Sequence, residues 1–495
     1  MAVGDKGGQS ATAVPHAVRH EEPTCLAGKQ SRLYDGFMGR YAAMIRLVLL
    51  ALLALGWPAA GMAEGRRVQI ITSFPPSFFE PFRSAFRNRH PDIAVEVVQR
   101  KTTAAVVDIR TQKRPEADLF WASAPDAFEL LKRANLLAPL QPRKTGAPET
   151  IAGYPVNDPE NRYLGFAVSG YGLVYNAAYL TARGLPVPRN WADLAAPVYA
   201  GHIGLTSPGR SGTTHLMVEA LLQSLGWERG WALWSAIGGN LATITARSFG
   251  VTAGVARGRF GIGISIDFLT EAGTAEGEGN RFVLPGETLF APASIARLAT
   301  SPNPKEAELV IDFVLSLAGQ KMLREPRIGR LAVSPSAYGP DETPPHLSET
   351  EGIFNRTGFD AGLSAGRYEL VNLIFDEWIT FRRAEHARLW RNLQVMEAAL
   401  LTRPDEQAAK LLTQTRAALS QPPVSAMELG EPWRFRNLAR VPRGLPVPEE
   451  QTRIEAGIRN AIAARSTEAS DSLQQAADRL AALGWRDESP TGARP

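Results

Sequence analysis

From residue 66 onward, short apolar runs alternate with stretches whose apolar residues fall three or four apart. The runs 68–72, 94–99 and 117–122 read as strands. Between the first two, Phe78, Phe79, Phe82 and Phe86 share one face of a helix predicted over 77–88, and a further helix starts at Pro125. Strand then helix, repeated, predicts a mostly parallel sheet with helices on its faces. In such sheets ligands gather at the carboxyl ends of the strands, where Ser73, Thr102, Thr103 and Ser123 fall. Each of these is also an ordinary turn former.

The run 164–176, LGFAVSGYGLVYN, is strand-like with glycines in its middle, and reads as a crossing into a second α/β lobe. A short capped helix is expected at 190–196, followed by the strand GHIGL. That strand ends in Ser207-Pro208-Gly209-Arg210-Ser211-Gly212-Thr213-Thr214. Leu216, Met217, Ala220, Leu221 and Leu225 then recur at helical spacing. Strand, glycine-rich turn and helix place Ser211 and Thr213 at the N-cap and first turn, with Gly212 open to close approach. Free N–H groups, hydroxyls and the positive end of the helix dipole make that corner attractive to an anion. A second corner repeats the logic: strand 242–245, an Arg247-Ser248 turn, helix 249–257 and a glycine-rich strand to Ile266. Two crossings would put Ser73, Thr102 and Ser123 on one wall of a cleft and Ser211, Thr213 and Arg247 on the other.

Beyond the second lobe, 281–285 reads as a strand and the return crossing. A helix burying Ile311, Val314 and Leu315 follows, with a shorter one from Ala318. Residues 353–401 look helical, with Tyr368, Val371, Leu373, Ile374, Trp378 and Phe381 as an apolar stripe. After 403 come two or three amphipathic helices around a Pro/Gly/Arg linker. They are read as a helical cap on the core, with a partner-docking element as the alternative.

Composition narrows the function. With 54 Lys+Arg against 50 Asp+Glu and no basic block, nucleic-acid binding is disfavoured. The stretch 44–63 carries Arg46, an apolar core at 47–55 and small residues at Gly61 and Ala63. It reads as a secretory signal peptide cleaved after Ala63, giving a periplasmic protein. Residues 1–43 read as an extension from a mis-assigned start, with Met38 or Met44 the better starts. They hold the single cysteine, Cys25, so the exported chain is expected to have no disulfide and no thiol nucleophile.

The motifs ITSFPPSFFEPF, ADLFWASAPDAF, GYGLVYN, SPGRSGTTH, GWALWSAIGGNLATITARSFGV and ELVIDFVLSLAGQKML, in that order, resemble the type 2 periplasmic solute-binding proteins of ABC transporters. The likeness runs over 66–395. It is greatest to the branch shared by iron(III), phosphonate and sugar-phosphate binders, and within it to phosphoglycerate-transport regulatory proteins. It implies a two-lobed α/β periplasmic-binding-protein-like II fold with a hinge and a C-terminal helical extension. Lobe one would be 64–168 and 286–345 and lobe two 169–285, followed by C-terminal helices at 346–402 and the extension at 403–495. The implied partners are a small anionic solute, phosphorylated or carboxylated, and an inner-membrane ABC permease. A membrane sensor kinase is the alternative partner, for a regulatory protein. The resemblance implies no cofactor.

Iron binders of this superfamily use an adjacent Tyr-Tyr pair. The corresponding stretch here is FGIGISIDFL, with Ser265, Ile266 and Asp267 and no tyrosine, so Fe(III) is disfavoured. Arg247 would make bidentate bonds to an anion, beside Ser248, and Arg210 would steer it from the rim. Asp267 would accept from solute hydroxyls, or pair with Arg247. An enzyme is not expected. His90, His202, His215, His346 and His386 lack metal-ligand spacing, the GxSxG motif is absent, and helix packing accounts for His215.

Overall fold

The computed structural model describes residues 66–486, apart from 152, 276–278, 287, 343–358, 431–434, 436–437 and 442–443. The expected signal peptide and upstream extension, and His346, lie outside the described residues. The first strands are β1 (Arg67–Thr72), β2 (Ala94–Gln99) and β3 (Leu119–Ala122), with helices α1 (Pro76–Arg89), α2 (Thr102–Arg110) and α3 (Pro125–Arg133) between and after them. β1 lies between β2 and β3, parallel to both, with Thr72 opposite Gln99 and Trp121. This register brings the three carboxyl ends side by side, as the alternating pattern requires. Phe78, Phe79, Phe82 and Phe86 are all buried under this half-sheet.

β4 (Leu164–Asn176) is a 13-residue strand that serves both lobes. Its second half, from Tyr171, pairs antiparallel with the strand that returns from the second lobe's core, and its first half pairs with a strand of the first lobe. The second lobe contains β5 (Ile203–Thr206), α4 (Gly212–Leu225), α5 (Trp227–Gly239), β6 (Leu241–Thr245), α6 (Phe249–Ala256) and β7 (Ile262–Ile266). The expected helix at 190–196 is a 3₁₀ turn, Ala192–Ala195.

The return crossing is β8 (Phe290–Arg297), which corrects the expectation for 281–285. The strand Asn280–Val283 pairs only with the second half of β4, so it belongs to the second lobe. β8 is buried over seven of its eight positions and pairs with both β3 and β4, as a mostly apolar run in a central strand allows. The strand order is β2-β1-β3-β8-β4-β7-β5-β6. Two antiparallel strands, β4 and β8, thus form the seam between two mostly parallel α/β halves.

Helix α7 (Pro304–Leu315) buries Ile311, Val314 and Leu315 as expected. Along α8 (Tyr368–Phe375) and the wider π turn Asp376–Thr380, the residues Tyr368, Val371, Ile374 and Trp378 are buried. Phe381, expected in the same stripe, is 64% exposed. A π turn adds a residue per turn and shifts the phase of the face, which no fixed 3.6-residue period anticipates. The tail forms α9 (Arg383–Leu400), α10 (Glu406–Ser420) and α11 (Glu449–Ala482). Leu393, Leu412, Leu473 and Leu480 of these helices join Ala236 of α5 in one apolar cluster. The tail is a cap on the second lobe.

Candidate functional site

Three strand ends of the first lobe and two strand-to-helix corners of the second face one another. At the first, Thr72 Oγ1 donates to the Trp121 carbonyl at 2.7 Å and accepts from Phe74 N–H at 3.1 Å, which fixes the Ser73-Phe74-Pro75 loop. Lys101 and Thr102 open α2, whose N-cap makes no side-chain bond, so its first N–H groups keep their donors. Ser123 ends β3. On the facing wall Ser211 caps α4, its Oγ accepting from Thr214 N–H at 3.2 Å. Arg247 and Ser248 lie between β6 and α6, though Ser248 is already helical and makes no cap bond.

One cleft gathers Ser73, Phe74, Pro75, Lys101, Thr102, Ser123, Arg210, Ser211, Thr213, Arg247, Ser248 and Phe249, closed below by Ile266, Phe268 and Leu269. Seven of the sequence-predicted residues are among them: Ser73, Thr102, Ser123, Ser211, Thr213, Arg247 and Ser248. The cleft is shut. Only about 30 Å³ is open to the centres of water-sized spheres, room for about two waters. A solute larger than that enters only if the walls part.

Five expected residues do not line it. Thr103 turns away, its Oγ1 donating to the Gly209 carbonyl at 3.0 Å. Ser207 Oγ donates to Asp376 Oδ1 at 2.5 Å. Thr214 is buried beneath its cap. Gly212 is packed so closely against the other wall that a Cβ there would lie 2.7 Å from that of Ala124. Asp267 points into the seam, accepting from Gly170 N–H and Phe268 N–H, both at 2.6 Å. Burial pushes its carboxyl up to about 6, against those N–H groups and the charge of Arg330. Its cationic neighbour is therefore Arg330, and not Arg247, one of the two alternatives read from the sequence. The strand-end position was legible, but the direction of each side chain depended on partners far along the chain.

Arg330 and Lys101 are the residues that sequence reasoning passed over. Arg330 is 2% exposed, with Nη1 donating to Ser123 Oγ at 3.2 Å and Nη2 to Ser169 Oγ at 3.0 Å. Its guanidinium sits over the rings of Phe268, Phe74, Phe78 and Phe166 at 4.3 to 5.8 Å. It supports the cleft floor from behind, a role no local motif announces. Lys101 had a signal, because it adjoins Thr102 at a strand end.

The electrostatics are one-signed. Burial, and then the charges of Arg210, Arg247 and Arg440, hold the Lys101 ammonium below its ordinary value. Burial lowers Arg247 as well. Among the described residues none of Lys101, Arg210 and Arg247 has a carboxylate within 4 Å, and the cleft lining contains no Asp, Glu or Tyr. Three partly buried cations beside a capped helix N-terminus and six hydroxyls form an anion receptor in chemical terms.

Residues 114–352 match the family model described as bacterial extracellular solute-binding protein. Over 365 residues, 74% of this chain and 87% of the relative, the sequence is 31% identical to the phosphoglycerate transport regulatory protein PgtC of Salmonella typhimurium. The fold is similar to that of the periplasmic binding protein AfuA from Actinobacillus pleuropneumoniae, solved with fructose-6-phosphate (TM-score 0.55, 19% identity, 63% of this chain and 98% of that one). It is also similar to apo ferric ion-binding protein A from Pasteurella haemolytica (TM-score 0.51, 17% identity, 64% and 98%).

Proposed function

We propose a function that starts from one established fact: this chain belongs to the bacterial extracellular solute-binding proteins, the binding components of ABC transporters. The solute is a small phosphorylated acid or sugar phosphate, taken into the cleft between the lobes and handed to an inner-membrane permease. The observation that carries this reading is the grouping of Lys101, Arg210 and Arg247 around Ser211 and Thr213 with no carboxylate among them. A phosphate group with two negative charges answers that set of donors, and Arg247 has the planar fork to hold two of its oxygens. Fe(III) prefers anionic oxygen ligands, which this lining does not supply.

Within this reading, Ser73, Lys101, Thr102 and Ser123 bind from the first lobe. Ser211, Thr213, Arg247 and Ser248 bind from the second, and closure about the β4–β8 seam encloses the solute. The lobes would comprise 64–168 with 286–345, and 169–285. The name of the 31%-identical relative supports a second reading, a regulatory protein whose solute-bound form acts on a membrane sensor kinase. A pull-down from solubilised membranes separates the two by whether permease or kinase is retained with solute present.

The direct test is thermal unfolding with 3-phosphoglycerate, fructose-6-phosphate, a phosphonate, succinate or Fe(III)-citrate. A solute at one hundred times its dissociation constant stabilises the fold by about 2.7 kcal/mol. A shift with a phosphorylated compound that Arg247→Ala abolishes is the expected result. A shift with Fe(III) alone would overturn the anion reading.

A further inference from the structure

We propose that Arg440 makes the C-terminal extension a latch on the closed lobes, so that seating of residues 438–441 and closure of the cleft stabilise one another. Three distant parts of the chain meet at one carbonyl. Thr103 Oγ1, in the first turn of α2, donates to Gly209 O at 3.0 Å, a bond that spans the two lobes. Arg440 Nη1 donates to the same Gly209 carbonyl and also to Thr103 Oγ1 at 3.3 Å. Thr103 adjoins Thr102 and Gly209 adjoins Arg210, both of which line the cleft. The guanidinium therefore reads the distance between the two walls from just behind the solute site.

The segment carrying Arg440 is itself fastened to the extension. Gln451 Nε2 on α11 donates to the Ala439 carbonyl at 2.9 Å and its Oε1 accepts from Ala439 N–H at 3.4 Å, while Leu438 is buried. α11 is tied in turn to the core, where Arg459 Nη1 meets Glu377 Oε1 at 3.2 Å. Beside Arg440 lies the half-buried Glu369, whose carboxyl is pushed up by desolvation and drawn back down first by the charge of Arg440. When the lobes part, Thr103 and Gly209 separate and one guanidinium cannot bond both. Closure then loses a charge-assisted bond, and the 438–441 segment loses its seat. Coupling of this kind is reciprocal: whatever closes the cleft must also seat the segment.

The coupling to solute rests on the reading of the cleft given above, whereas the latch itself does not. The test therefore has two arms, each in a Cys25→Ser background. In the first, spin labels at Lys113→Cys and Arg257→Cys, exposed positions on the two lobes, report the interlobe distance without solute. Arg440→Gln is expected to lengthen it and Arg440→Lys to restore it in part. Gln451→Leu, which frees the segment without touching either lobe, is expected to act like Arg440→Gln. In the second arm 3-phosphoglycerate is added. Amide exchange at 438–440 should slow several-fold in the wild type, and Arg440→Gln should weaken binding about tenfold, as loss of one such bond entails. Unaltered interlobe distances in correctly melting Arg440→Gln and Gln451→Leu variants overturn the latch. Lengthened distances with no 3-phosphoglycerate binding in the wild type leave the latch standing and count against the solute reading instead.

Discussion

The imidazole Nε2 of His215 lies 3.5 Å from Oδ2 of Asp126, and solvent reaches neither side chain. His215 comes from α4 of the second lobe and Asp126 from α3 of the first. Ser364 joins them, its Oγ donating to Asp126 at 3.0 Å and lying 3.2 Å from Nε2, while Asn372 Oδ1 is 2.9 Å from Nδ1. Burial pushes the Asp126 carboxyl up to about 7 and the His215 imidazole down to about 3. At mildly acid pH the pair is thus held as neutral acid and neutral base across the lobe boundary.

The two shifts oppose each other in their effect on stability. Folded Asp126 keeps a proton that the unfolded chain releases above 3.8, so its contribution is full below that pH and is lost as pH rises through about 7. Unfolded His215 takes up a proton below 6.5 that the folded chain refuses, so stability falls as pH drops from 6.5 toward about 3. Each slope is about 1.4 kcal/mol per pH unit, and in the shared window they cancel. Asp126→Asn removes only the first. Relative to wild type, its unfolding free energy in urea should fall by roughly that slope on acidification from pH 6 to pH 4. Parallel curves for the two proteins would mean that the pair is not held neutral.

Gly212→Ala would place a Cβ 2.7 Å from Ala124 Cβ and 2.8 Å from Thr102 Cγ2, both on the opposite wall. Overpacking costs about 1–3 kcal/mol, and here parting the lobes relieves it. Binding of a phosphorylated solute should weaken by about one to two orders of magnitude. The radius of gyration by X-ray scattering should stay at its open value with solute present. Wild-type affinity would show that the walls do not meet this closely.

Arg330→Met keeps the length of the side chain and removes the charge beneath the cleft. Asp267 and the hydroxyls of Ser123 and Ser169 lose their cationic neighbour. A loss of about 3 kcal/mol or more in unfolding free energy is expected, with a further rise of the Asp267 pKa. Calorimetry across pH 5 to 8 checks both, and a neutral effect would deny Arg330 its structural role.

Trp390 is 2% exposed, donates from Nε1 to Ser235 Oγ at 3.2 Å, and lies against Gly239, where a Cβ would come 2.5 Å from its own. Trp390→Ala should cost about 3–5 kcal/mol. It should also make α10 and α11 the first segments cut in limited proteolysis, because they share its cluster with α5. Cleavage elsewhere first would indicate that the cap is held by other contacts.

The sequence by itself determined the alternation of strands and helices, and with it the strand ends at Ser73, Thr102 and Ser123. The Ser211 cap was legible because a serine before a helical apolar face has one good use for its hydroxyl. The length of β4 and its role as a crossing followed from a strand-like run that continues through the glycines in its middle. What only the tertiary structure decided was direction and partnership. Thr103, Ser207 and Asp267 stand at strand ends like their neighbours, yet each turns to a group on another element: Gly209, Asp376 and Gly170. Arg330 lies 207 positions from Ser123, and Arg440 lies 337 from Thr103. Local periodicity reports which face of an element is apolar. It does not encode which distant polar group will meet a side chain, because that depends on how the two lobes and the cap pack together.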